Sequence, residues 1–309
     1  MMSLMRPTNR VLFAFGLVAA SVAPAVAWAS AWDGDYFPDV KLTAHTGEEV
    51  RFFSDLLEDR VVAINFMFTS CAAVCPTETA RLRQVQRLLQ HRVGKDVFMY
   101  SISIDPARDS VEALAEYAKK FDVGPGWKFL RASQEDVDLI QSKLGMLVEN
   151  EDDPLDHSTS FIIGNQSTGR WTKRSPFEHP SILARLIGDD MHNFTVETHA
   201  PLQSYSVVQP RDQLDQGEYI YRTRCNACHT IGQGDELGPD LAGITKLRPA
   251  AWLERWIMEP DVMLEEGDEL ALAVKAKYGE VTMPNLGLTE VDAKAVIDYI
   301  AQMSGASET

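Results

Sequence analysis

The sequence predicts an α/β domain followed by a smaller all-α domain, and three observations support this fold class. Between residues 33 and 190, apolar strand-like runs alternate with amphipathic helical runs, which is typical of a mainly parallel sheet with covered faces. Residues 191–213 have no sustained hydrophobic period and are interpreted as a linker. Residues 214–307 show helical periodicity alone. A chain of 309 residues is long enough for two such domains.

The elements of the first domain follow from composition and spacing. Apolar and polar residues from 39 to 47 predict an opening hairpin. Strands are then predicted at 61–68, 97–104 and 159–163, and helices at 77–89, 109–120, 135–144 and from 181 onward. Glu112 follows Asp109 by three residues, so Asp109 is predicted to cap its helix in a capping box. Because functional groups of such sheets collect at strand ends, we expect Cys71, Asp105 and His157 to lie there.

Charge and the N-terminal segment narrow the classes of function. The net charge of −16 argues against a nucleic-acid partner, and no stretch of the first domain reads as a Lys/Arg patch. Arg6 and Arg10 precede the apolar run 11–27, which ends in small residues. Residues 1–31 are therefore interpreted as a signal peptide or a retained membrane anchor. We expect an exported protein in the periplasm, either soluble or anchored to the inner membrane.

Four cysteines form two local pairs, which indicates chemistry rather than a disulfide framework. Cys71 and Cys75 lie where the strand 61–68 turns into a helix, a position at which helix N–H groups are expected to lower a thiol pKa. Such a pair can close a disulfide, or it can clamp a soft metal ion with a third ligand. The alternative is that these are two small core residues.

The second pair belongs to a Cys-x-x-Cys-His sequence, which marks covalent attachment of haem c. Cys225 and Cys228 would form the thioethers and His229 the axial ligand. An ordinary redox dithiol is the alternative, but it needs a surrounding sheet that this helical region lacks. Thr289, with Asp292 three residues on, is predicted to cap the final helix.

This segment resembles class I cytochrome c domains. The resemblance implies that Gly217 and Tyr221 pack against the last helix near Tyr299, and that the Pro239 carbonyl accepts a hydrogen bond from the proximal histidine. It also implies a distal methionine, for which Met283 has the expected placement. Met258 and Met263 are the competing candidates.

The first pair needs a third soft or borderline ligand, and His157 precedes a predicted strand directly. Two thiolates and an imidazole suit Cu(I), which accepts three-coordinate sites, whereas zinc prefers four ligands. Cys-x-x-x-Cys-Pro, then Ser-Ile-Asp-Pro at 103–106 and Asp-His-Ser at 156–158, resemble the Sco/SenC family over residues 36–190. The resemblance implies a thioredoxin-like fold, with Cys71, Cys75 and His157 as copper ligands. It further implies a role in maturing the binuclear copper site of cytochrome c oxidase.

Two functions follow from these motifs. The first is copper delivery to the copper-site subunit of cytochrome c oxidase or to another acceptor, with the haem domain as electron partner. The second is a thiol–disulfide oxidoreductase that keeps a partner's cysteines reduced, in which Cys71 attacks and Cys75 resolves the mixed disulfide. Redox partner proteins are expected in both cases. A redox or copper sensor is a third possibility that no feature of the sequence favours.

Overall fold

The computed structural model describes residues 32, 34–72, 74–148, 150, 155, 159–192, 215–279 and 281–306. Within these residues, the first domain is built on one sheet with the strand order β2-β1-β5-β4-β3-β6-β7. Its strands are β1 Lys41–Ala44, β2 Glu49–Arg51, β3 Val61–Met67, β4 Val97–Ser103, β5 Trp127–Arg131, β6 Phe161–Asn165 and β7 Arg170–Arg174. Its helices are α1 Val74–Leu89, α2 Val111–Lys120, α3 Gln134–Lys143 and α4 Pro180–Arg185.

The strand β3 lies inside the sheet and is buried on both faces, as its β-branched and aromatic residues favour. Val61 and Met67 pack into an apolar cluster that α1, α2 and α4 cover. Val62 and Phe66 pack into a second cluster on the opposite face, which α3 and the helical turn Phe52–Leu57 cover. Strands β3 and β4 run parallel and pair Met67 with Ser103, so the loops that follow them leave the same edge of the sheet.

The prediction of a mainly parallel sheet holds only for β3, β4 and β5. β4 pairs in parallel with both neighbours, whereas the other strand pairings in the described region are antiparallel. The pairs β1–β2 and β6–β7 are antiparallel because each is a hairpin joined by a short turn, which can only connect antiparallel strands. Sequence reasoning missed β7, a polar edge strand, and β5, and it placed β6 two residues too early.

The second domain is helical, as predicted. Its helices are α5 Gln216–Ile220, continued by the turn Tyr221–Cys225, then α6 Ile244–Leu247, α7 Ala250–Met258, α8 Pro260–Glu265, α9 Glu269–Tyr278 and α10 Glu290–Ala306. Helix α5 crosses α10 so closely that a Cβ at Gly217 would lie 2.1 Å from the carbonyl oxygen of Ala295. The rings of Tyr221 and Tyr299 meet beside this crossing, with centroids 5.5 Å apart. The predicted packing of the first helix against the last is therefore confirmed.

Two further predictions concern the ends of the domains. The Thr289 hydroxyl accepts a hydrogen bond from the Asp292 N–H, and the Asp292 carboxylate accepts one from the Thr289 N–H, so the predicted capping box is present. Met191, assigned to the linker, is instead buried against the first domain, where its carbonyl accepts a bond from Asn165. The linker from 193 and the segment 1–31 lie outside the described residues. No helix in the described part of the chain combines the length and apolar character needed to cross a bilayer.

Candidate metal and haem sites

The first candidate site is the pair of cysteines at the junction between β3 and α1. Cys75 is fully buried as the second residue of α1, whereas Cys71 in the preceding loop is partly exposed. The two side chains form a hydrogen bond, and neither cysteine is in a disulfide. This bond and burial raise the pKa of the Cys75 thiol, contrary to the lowering expected from the helix start. The Cys75 thiol is therefore protonated at neutral pH when no metal is bound.

The loop that carries Cys71 is fixed by a buried carboxylate. Asp109 accepts hydrogen bonds from the backbone N–H of Thr69, from the Thr69 hydroxyl and from the Ser103 hydroxyl. Asp109 is fully buried, and it joins the loop after β3 to the end of β4. The prediction that Asp109 caps α2 is wrong, because Ser110 is the cap and accepts the N–H of Ala113. The Asp109 side chain therefore points into the domain and holds the loop that precedes Cys71 against the end of β4.

The third predicted ligand of the thiol pair, His157, lies outside the described residues. In the part of the chain that is described, no group of three or more His, Cys, Asp or Glu side chains converges as a metal site. The described portion thus supplies two sulfur donors, and the histidine ligand stays a prediction. Asp105 is buried at the end of β4, as expected for a residue at that edge, and pairs with Arg108 at 2.5 Å.

The second candidate site is an apolar cavity of about 560 Å³ in the helical domain. Such a volume is within the range of cofactor pockets. Cys225, Cys228, His229 and Met283 all line it. Burial raises the pKa of both thiols to about 12, so both are protonated in the absence of haem.

The imidazole of His229 is oriented by the loop that faces it. Its Nδ1 donates a hydrogen bond to the Pro239 carbonyl oxygen at 2.8 Å, as the resemblance implied. This bond leaves Nε2 as the nitrogen that can ligate iron. Burial lowers the pKa of His229, which keeps the imidazole neutral. A Cβ at Gly238 would lie 2.5 Å from Cε1 of His229, so the loop approaches the ring as closely as glycine allows.

The candidate distal ligand is distinguished by its position. Met283 lines the cavity together with His229, in the segment between α9 and α10. Met263 is buried beside Trp256 and is not among the described residues that line the cavity. Met258 packs against the α5–α10 core. The neutral imidazole, the two thiols and the cavity between His229 and Met283 together fit a haem c.

Comparison with known proteins decides the family of the chain. The SCO1/SenC family model matches residues 33–188, just over half of the 309 residues. The chain belongs to the SCO1/SenC family. A second model, cbb3-type cytochrome c oxidase subunit III, matches residues 212–300. The predicted fold class, an α/β domain followed by a helical cytochrome c domain, is therefore confirmed.

Individual SCO1/SenC relatives match the first domain. A SCO2-like protein of Rickettsia conorii is 32% identical over 143 residues, which cover 44% of this chain and 66% of the relative. The mitochondrial SCO1 homologue of Homo sapiens is 35% identical over 131 residues, which cover 40% of this chain and 42% of that protein. The matches thus span less than two thirds of these relatives.

Solved structures of the family are also similar to this domain. A SCO1/SenC family lipoprotein from Bacillus anthracis is 27% identical, and the match covers 50% of this chain and 93% of that chain with a TM-score of 0.44. ScoI of Arabidopsis thaliana, solved with copper bound, is 23% identical, with coverage of 47% and 93% and a TM-score of 0.39.

Sequence reasoning missed one acidic residue beside the SCO1/SenC thiol pair. Glu78 lies one turn after Cys75 on α1 and is fully buried. Burial raises the pKa of Glu78 well above its usual range, and the electrostatic effect of Cys71 raises it further. A hydrogen bond with the Asn65 side chain acts in the opposite direction and lowers it. Burial therefore favours the protonated form of Glu78. The three-residue spacing from Cys75 placed it on the inward face of the helix and was the available signal.

Proposed function

We propose that this chain is an exported copper carrier whose helical domain holds a covalently attached haem c. Copper would be held as Cu(I) by Cys71, Cys75 and His157, and delivered to the copper-site subunit of cytochrome c oxidase or to another copper acceptor. The carrier would act in the periplasm, either soluble or anchored to the inner membrane. The haem would be held by Cys225, Cys228, His229 and Met283.

The observation that carries this proposal is the thiol pair of a SCO1/SenC chain, whose two side chains are held next to each other at the junction of β3 and α1. Cys71 and Cys75 are hydrogen-bonded to each other, and neither is consumed by a disulfide. Burial raises the pKa of the nearby Glu78, which favours its protonated form. Two thiolates that replace two thiols there would carry negative charge, which a soft cation such as Cu(I) compensates.

The haem domain supports an electron-transfer role by stoichiometry. A haem c changes by one electron, as does the Cu(II)/Cu(I) couple, whereas a dithiol/disulfide couple needs two. One haem in the same chain therefore matches one copper ion. The fusion also raises the effective concentration of each centre near the other.

The test is copper retention by the full haem-loaded chain. Anaerobic loading with Cu(I) should give one copper per chain, and Cys71→Ser and Cys75→Ser should abolish stoichiometric binding. His157→Ala should weaken the affinity for Cu(I), measured by competition with a cuprous chelator, by about tenfold or more. His91→Ala, which replaces an exposed histidine, is the matched control and should bind as the wild type does. Unchanged affinity in His157→Ala would remove the histidine from the proposed site.

A second candidate function is thiol–disulfide exchange, and the exposure of the two cysteines favours it. Cys71 is accessible for attack on a partner disulfide, and Cys75 is buried behind it, as a resolving thiol would be. This function does not require His157. Measuring both disulfide reduction and Cu(I) affinity on His157→Ala separates the two functions. If the variant loses copper binding but still reduces disulfides, the carrier is supported. If it keeps both copper binding and disulfide reduction, the reductase is supported.

A further inference from the structure

Arg83 and Arg87 lie one turn apart on α1 and form a basic stripe that the sequence pattern did not indicate. Arg81, Arg83 and Arg87 fall within seven residues of a chain whose net charge is −16. Arg83 is almost completely buried, with 7% of its side chain exposed, and Arg87 is half exposed. Burial of a guanidinium is costly unless anionic and carbonyl groups meet it. The groups that contact this stripe therefore identify the surface against which it packs.

One carboxylate of the helical domain faces the stripe. Glu236 accepts from Nη1 of Arg87 at 3.0 and 2.9 Å, and from Nη1 of Arg83 at 3.2 Å. Arg83 simultaneously pairs with Asp122 of its own domain at 2.9 Å. A single residue of the haem-attachment region thus joins two arginines of α1.

Hydrogen bonds from α1 to backbone carbonyl groups of the helical domain fix the orientation around these ion pairs. Gln84 donates to the Asn226 carbonyl oxygen at 2.6 Å, and Arg81 donates to the Arg222 carbonyl oxygen. Both acceptors lie within three residues of Cys225. Ala227, Cys228 and Leu237 of the helical domain pack into the apolar cluster that covers α1. The surface combines charge, backbone recognition and apolar contact, as specific interfaces do.

The contact also brings the two candidate cofactor sites together. Thr77 of α1 lines the haem cavity, and it follows the candidate copper ligand Cys75 by two residues. Thr77, Arg81 and Gln84 recur at spacings of four and three, so they share one face of α1. The helix whose first turn carries Cys75 thus also lines the haem cavity through Thr77.

We propose that α1 is the docking surface for the chain's own haem domain and that Glu236 is the residue that specifies this docking. The inference rests on the proposed function, because it makes the docked state the one in which copper and haem exchange an electron. In that step Cu(I) held by the first domain would give one electron to the ferric haem, which would yield Cu(II) and ferrous haem without the transfer of a proton or an atom. Residues 193–214 join the domains, and a segment of this length can span about 70 Å when extended, so tethering permits both docked and separated arrangements.

Glu236→Gln tests the docking with little change of shape. The amide removes both ion pairs, and for partly exposed pairs the ratio of docked to separated chains should fall about fivefold. Glu290→Gln is the matched control, because it makes the same change of charge and removes an ion pair with Lys294 far from α1 in the sequence. Both variants are compared as full haem-loaded chains.

Two measurements give independent readouts. The radius of gyration from small-angle X-ray scattering should increase at a lower NaCl concentration for Glu236→Gln than for the wild type and Glu290→Gln. Stopped-flow reduction of the ferric haem by Cu(I) loaded into the same chain should be independent of protein concentration. At NaCl concentrations where separated chains predominate, it should be about fivefold slower in Glu236→Gln than in the wild type.

The outcomes separate the docking from the proposed function. Identical scattering of the two variants across the NaCl series would overturn the docking, even where Cys71 and Cys75 retain copper. Expansion of Glu236→Gln with an unchanged haem reduction rate would overturn its role in electron exchange. Failure of the wild type to retain copper would overturn the proposed function, while the scattering comparison would still decide whether Glu236 controls docking.

Discussion

Replacement of Asp109 by asparagine tests whether the buried carboxylate organises the thiol pair. The carboxylate accepts the N–H and hydroxyl of Thr69 and the hydroxyl of Ser103, with no exposure to water. An amide keeps one acceptor oxygen and turns an NH₂ donor toward groups that also donate. Hydrogen bonds to a charged group contribute about 1.5–3 kcal/mol each, so we expect Asp109→Asn to lower the free energy of unfolding by about 3 kcal/mol.

Asp39→Asn is the matched control. Asp39 also accepts from backbone and side-chain groups of Ser54 and from Arg51, but its side chain is 38% exposed and water can replace those bonds. We expect a loss of about 1 kcal/mol or less for this variant. The comparison therefore isolates the contribution of burial.

Urea unfolding of the full chain, followed by far-UV circular dichroism with the Soret band as a separate report on the haem domain, measures the stability of both variants. Competition with a cuprous chelator measures their affinity for Cu(I), which we expect to fall at least tenfold in Asp109→Asn because the Cys71 loop loses its anchor. If Asp109→Asn were as stable as Asp39→Asn and bound Cu(I) with wild-type affinity, the proposed role of Asp109 in holding the Cys71 loop would be refuted.

Two further predictions concern the thiol pair and the helix crossing. Because its hydrogen bond to the neighbouring thiol and its burial raise the pKa of Cys75, copper must displace thiol protons; apparent Cu(I) affinity should rise between pH 6 and pH 8, by about tenfold per unit for each proton released. A flat profile in chelator competition would contradict this. Gly217→Ala should destabilise the haem domain by about 1–3 kcal/mol, because its Cβ would meet a backbone carbonyl at 2.1 Å. Gly305→Ala, also in a helix but with open space around it, should be neutral or stabilising by up to about 1 kcal/mol; equal Soret-monitored melting of the two variants would exclude the close crossing.

Features encoded in short stretches could be predicted from the sequence. The apolar run of β3, the helical period of α1 and the Cys-x-x-Cys-His motif each depend on neighbouring residues, and the structure has all three. The hydrogen bond from His229 to Pro239 was expected from the resemblance to class I cytochrome c domains, and the structure has it. Local pattern was sufficient for these elements and for the haem-attachment motif.

The contacts that complete the candidate sites join distant positions, and the sequence alone did not show them. Asp109 has the local pattern of a helix cap, yet Thr69, forty positions earlier, competes successfully for its carboxylate. Arg83 and Glu236 are 153 positions apart and belong to different domains. A capping motif reports only on its own helix, and burial by tertiary structure determines which partner a carboxylate takes.

The unequal depth of the two sulfurs in the first domain has a consequence for how cargo would leave it. Cys75 lies behind the sheet edge with no accessible surface, while Cys71 reaches the exterior. A ligand of the acceptor protein would reach the ion from the side of Cys71. The bond to the Cys71 sulfur would therefore break first and the bond to the buried Cys75 sulfur last. Transfer by this route would proceed in a fixed order, and the ion would keep at least one sulfur or acceptor ligand at every stage.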